Sequence, residues 1–132
     1  MLPIIISVPK QSEYLHGEGV IDITCRVIKG PTYNLVSLLD PNDDTVAGCN
    51  KQLGYWAAAT MSSLVKDPLT IITDDLCNKT FKTADEEPYY NFSFTIDVEK
   101  VRTLPPYHLH CKAVGGRVNH ISETIKVEKW KG

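Results

Sequence analysis

The segment Tyr107-His108-Leu109-His110-Cys111-Lys112-Ala113-Val114 decides how the chain folds. Tyr107, Leu109, Cys111 and Ala113 alternate with His108, His110, Lys112 and Val114. That is the period of two of a half-buried strand, with the cysteine on its buried side. Gly115-Gly116 predicts a tight reversal, since glycine accepts positive φ at no steric cost. A second alternating strand is expected over Ile121 to Lys129, completing a hairpin.

The same alternation recurs far upstream. Across residues 20–27, Ile21, Ile23, Cys25 and Val27 face one way and Asp22, Thr24 and Arg26 the other. Two inward cysteines on strands distant in sequence suggest a bridge between two packed sheets, Cys25 to Cys111. The bridge closes a loop of 86 residues. By loop-closure entropy such a bridge contributes about 4 kcal/mol through the unfolded state. Cys49 and Cys77 are left as a second pair, stapling a connection that has no evident core of its own.

Other segments fill in around these strands. Leu2 to Ser7 is β-branched and bracketed by Pro3 and Pro9, which suits an edge strand. Tyr33 to Leu39 is expected as a strand that carries apolar groups on both faces. Asp40-Pro41-Asn42-Asp43-Asp44 predicts a turn, and Thr45 to Ala47 a short returning strand. Trp56 to Val65 has helical spacing at Trp56, Thr60 and Leu64, and predicts a short helix. Leu69 to Thr73 is read as a strand. Tyr90 to Val98 alternates strictly, with Phe92, Phe94, Ile96 and Val98 inward.

Composition narrows the function classes. The 132 residues carry a formal net charge of −2, without the clustered basic excess that nucleic acid requires. No apolar run is long enough to span a membrane. Leu2 to Val8 lacks the basic leader of a signal peptide, so the chain is expected to be a mature segment, with any membrane attachment through sequence beyond it. Two glycosylation sequons, Asn78-Lys79-Thr80 and Asn91-Phe92-Ser93, join the even cysteine count in pointing to a secreted or cell-surface protein. The competing reading is a cytosolic β protein with four buried thiols. Asn91 falls on the outward side of its strand, where a glycan fits.

The order of strands and cysteines resembles the V-set of the immunoglobulin superfamily. Residues 20–27 match its strand B, 92–98 strand E, 107–114 strand F and 123–127 strand G. The resemblance implies an all-β, two-sheet Greek-key sandwich forming one domain over residues 1–132. Three features depart from the pattern. Val36-Ser37-Leu38 stands where strand C normally carries a tryptophan, and Leu38 is its nearest substitute. Leu109 stands where a tyrosine normally precedes the late cysteine, with Tyr107 displaced by two, and the cysteines are more widely spaced than usual. The unusual strand C and the extra cysteine pair are similar to cnidarian allorecognition receptors, whose outermost V-set-like domains bind copies of themselves between cells.

The resemblance implies docking through the G-F-C-C′ sheet, whose exposed side would carry Leu35, Ser37, Leu39, His108, His110, Lys112, Thr124, Lys126 and Glu128. The expected partner is a protein: the same chain on an opposing cell, or another surface receptor. Lys126 with Glu128 suits pairing about a two-fold axis. A secreted or viral ligand that binds a heterologous receptor is the alternative. In the competing view of this sheet, residues 50 to 85 cover Leu35 and Leu39 as a satellite core.

Catalysis is not expected. The cysteines count out as pairs, and no Gly-rich loop joins a strand to a helix. Asp74-Asp75 and Glu86-Glu87 read as loop solubility features. His108 and His110, with His120 as a conceivable third, could share a metal, although three solvated histidines are the simpler reading, and no cofactor is assigned.

Overall fold

The computed structural model describes residues 1–8, 20–52, 55–58, 77, 86–97 and 107–127. These form antiparallel strands: β1 (Ile4–Ser7), β2 (Val20–Ile28), β3 (Leu35–Leu39), β4 (Thr45–Gln52), β5 (Tyr55–Ala58), β6 (Tyr89–Asp97), β7 (Tyr107–Val114), β8 (Asn119–Ile121) and β9 (Ile125–Val127). One sheet has the order β1-β2-β6. The other runs β5-β4-β3-β7-β8, with β9 also paired to β7. β1 is an edge strand, as its flanking prolines imply.

The inward residues of both sheets share one apolar core, as in a β-sandwich. Ile23, Val27, Phe92 and Phe94 come from one sheet, and Val36, Leu38, Leu109 and Ala113 from the other. Cys25 and Cys111 join the two layers, with Cα atoms 5.8 Å apart. Cys25 is opposite Phe92 in β6, and Cys111 is opposite Leu38 in β3, so apolar groups flank the bridge on both sides. Leu38, the substitute named for the usual strand C tryptophan, is fully buried. Cys49 and Cys77 form the second bridge.

Several expectations need correction. Tyr55–Ala58 is a strand and not the start of a helix over Trp56 to Val65; residues 59–65 lie outside those described. Pairing with Cys49–Gln52 satisfies its backbone groups and turns Trp56 onto the edge of Phe92, with ring centroids 5.1 Å apart. The third strand begins at Leu35, and Tyr33 is a buried core residue just before it. The strand after the Asp40 turn continues to Gln52, well beyond Ala47. The strand expected over residues 69–73, and Val98 at the end of β6, lie outside the described residues.

The Asp40 turn is held by its own side chain, whose Oδ1 accepts the N–H groups of Asn42 (2.9 Å) and Asp44 (3.0 Å). Asp43 takes the left-handed conformation, with φ of 62°. Gly115 and Gly116 do not adopt positive φ; among the described glycines only Gly30 does. Gly115 is required for a different reason: a Cβ there would overlap the Thr32 carbonyl oxygen. Gly115→Ala is therefore expected to cost about 2 kcal/mol or more, because backbone and not a flexible side chain must yield. Chemical denaturation of the variant checks this, and a cost within error of zero would refute the close approach.

The Tyr33 hydroxyl donates to the Ile28 carbonyl at 2.6 Å. Burial raises its pKa above the ordinary 10.0, with Tyr90 contributing in the same direction. The folded chain then holds this proton where the unfolded chain releases it. The resulting stability is fully present below about pH 10 and is lost as pH rises through the folded value. Tyr33→Phe should cost about 1 kcal/mol near neutrality. It should also flatten the alkaline fall in stability, as read from unfolding curves across that range.

Candidate functional site

Strand registers place the outer face of the larger sheet in rows. Asn50, Leu35, Val114 and Asn119 lie side by side; next come Gly48, Ser37, Lys112 and Ile121; then Thr45, Leu39 and His110. Lys126 lies opposite His108 at the far end. Ser37 carries a small side chain between Leu35 and Leu39, and the face is hollow there. The result is a groove of about 230 Å³. Leu35, Leu39, Val114 and Ile121 supply apolar walls, while Lys112, His110, Asp43 and Thr45 supply polar ones.

The sequence placed Leu35, Ser37, Leu39, His108, His110, Lys112, Thr124 and Lys126 on this face, and the registers agree for the strand residues among them. Their exposure differs. His108, Thr124 and Lys126 are open, whereas Ser37 and Leu39 are only 2% and 5% exposed and form the floor. Glu128, which was to pair with Lys126, lies outside the described residues. So does most of the stretch 50 to 85. The part of it that is described, β5, pairs at the edge of β4 and sends Trp56 inward.

Asp43 and Ile121 were not anticipated. Asp43 reaches the face through its left-handed turn, with Oδ1 3.3 Å from His110 Nε2 and a side chain 80% exposed. Ile121 is 59% exposed because the returning strand is broken, not continuous from Ile121 to Lys129. β8 and β9 both pair with β7, but their registers differ by one residue. The extra residue lies at Ser122-Glu123, which makes a β-bulge. Ser122 N–H donates to the Cys111 carbonyl (2.9 Å), and Cys111 N–H donates to Ser122 Oγ (2.7 Å). The serine hydroxyl thus replaces the carbonyl that a regular ladder would offer, and donates in turn to the Glu123 carbonyl (2.8 Å). The bulge reverses the parity of the strand: Ile125 packs on the core and Ile121 faces out. A signal existed in the sequence, since unbroken alternation would have sent Glu123 inward together with Ile121 and Ile125.

His120 is separated from the other two histidines. It is opposite Ala113, on the inner face, with its ring edge-on to Tyr33 at 6.0 Å and Nε2 buried without a hydrogen-bond partner. The three-histidine site is therefore not assembled. Among the described residues, no group of three His, Cys, Asp or Glu side chains is placed to hold a metal.

The outer face of the smaller sheet has a different character. Across β2 and β6, Thr95 donates to Asp22 (2.9 Å), Thr24 and Ser93 share a hydrogen bond (2.9 Å), and Arg26 Nε donates to Asn91 Oδ1 (3.3 Å). This is a ladder of satisfied polar pairs. Asn91 is half-buried within it; Asn78, in the other sequon, lies outside the described residues.

No match was found. Family models, curated proteins and solved structures give no match to this chain.

The bulge gives a direct test. Ser122→Ala leaves the buried Cys111 N–H without its acceptor and should cost about 1–3 kcal/mol. Denaturant unfolding measures this, and hydrogen exchange at Cys111 should accelerate in parallel.

Proposed function

We propose that this chain is an extracellular recognition domain of the V-set type that binds a second copy of itself through the outer face of β3, β7 and β8. The observation that carries this reading is the contrast between the two outer faces. One is a closed polar ladder with its hydrogen bonds made. The other is a groove with apolar walls, an exposed isoleucine and charges of both signs at its rim. An apolar centre with a polar margin is the usual composition of a protein interface.

Strand order favours the V-set assignment. On this reading β1, β2 and β6 correspond to A, B and E, and β4, β3, β7 and β8–β9 to C′, C, F and G. The bridge from β2 to β7 falls where a B–F disulfide belongs. Two intramolecular disulfides favour folding in an oxidising compartment, and with it a secreted or cell-surface site of action.

Charge complementarity favours a second copy as the occupant. Lys112 and Asp43 line the same groove. A two-fold axis through its middle brings the lysine of each copy toward the aspartate of the other. Lys112→Glu should weaken self-association about tenfold, equivalent to ~1.4 kcal/mol, and adding Asp43→Lys should restore it. Sedimentation and bead aggregation read both effects. A wild-type domain that stays monomeric and never clusters beads removes self-binding and leaves a heterologous receptor as the partner.

A further inference from the structure

We infer that Asn91 carries an N-linked oligosaccharide, and that this sugar covers the outer face of the β1-β2-β6 sheet. The inference rests on the secretory reading above and adds a covalent modification to it. The acceptor sequence Asn91-Phe92-Ser93 has no proline at its middle position, so the chain can be read before it folds. In the transfer, Nδ2 of Asn91 bonds to the anomeric carbon of a lipid-pyrophosphate-linked oligosaccharide. The nitrogen gives up one proton, and the lipid pyrophosphate departs with the bonding electron pair.

The folded chain must then tolerate the product, and the surroundings of Asn91 do so. Arg26 Nε lies 3.3 Å from the Asn91 carboxamide. Arginine has donors and no acceptor, so the amide atom facing it is the oxygen. Arg26 is itself fixed: Nη2 is 2.6 Å from Glu87 Oε1, and the guanidinium lies 4.8 Å above the Tyr89 ring. The orientation of the carboxamide is therefore set from outside, by a side chain anchored at two other points. Nδ2 is left as the atom that makes no hydrogen bond among the described residues and is not buried without a partner. A sugar on Nδ2 displaces no hydrogen bond among the described residues and keeps the Arg26 bond intact.

The location gives the modification a consequence. Asn91 is on β6, in the sheet opposite the Lys112 groove. A glycan there shields the polar ladder and leaves the groove uncovered, so that only one broad face of the sandwich meets a partner.

The test is secretion of the chain from a eukaryotic cell behind an added leader, followed by peptide mapping of the unreduced protein by mass spectrometry. The expected result is a major secreted form with both disulfides and an N-acetylhexosamine-initiated glycan on the peptide containing Asn91. Amidase treatment should release that glycan and leave an aspartate in its place. Asn91→Gln should remove the corresponding mass while the peptide containing Asn78 stays as in the wild type. Protein that is secreted, correctly bridged and bare at Asn91 overturns the inference and leaves the secretory reading intact. Protein that is retained in the cell or recovered with free thiols overturns both. Because wild-type peptide mapping decides occupancy, failure of the variant to fold would not obscure the result.

Discussion

The covalent link from Cys25 to Cys111 fixes the two sheets against each other, and the remaining architecture is arranged around it. The link lies in the middle of β2 and of β7. It therefore determines which residues of each sheet meet across the core. Phe92 and Leu38 are the cross-strand neighbours of its two ends. Every inward position of the central strands follows from that alignment by the period of two. The entropic gain from closing so long a loop is a sizeable fraction of the net stability of a small domain. The bridge thus governs register and stability together.

Much of this could be read from the residues themselves. β2, β6 and β7 have clean alternation, and their inner and outer sets follow from it without further information. The pairing of Cys25 with Cys111 followed from the same faces, and Cys49 with Cys77 was the pair that remained. What was not legible depends on contacts between distant segments. Trp56 is compatible with helical or extended spacing, and its place is settled by the free edge of β4 and the ring of Phe92. The need for glycine at position 115 comes from the Thr32 carbonyl, which local propensity cannot reveal.

The candidate site was half legible for the same reason. Residues of β3 and β7 fall on its face by parity alone, and both strands are regular there. Asp43 arrives through a left-handed turn residue, and Ile121 through a one-residue register change. Both depend on irregular backbone, which alternation cannot foresee. Ser37 and Leu39 show the converse limit. Their side is correctly given, but both are nearly buried and form a floor, not a protruding surface.

The irregularity at Ser122 also bears on solubility. Among the described strands, β8 and β9 form an outer margin of the larger sheet, the kind of edge that a foreign strand can extend. A continuous row of such groups is what a templating chain needs. Here the row is interrupted after Ile121, and the Ser122 hydroxyl is already engaged on both sides, with Cys111 and with Glu123. An incoming strand that matched β8 would be out of step with β9. The kink that brings Ile121 to the surface therefore also denies a foreign strand a single register along this margin.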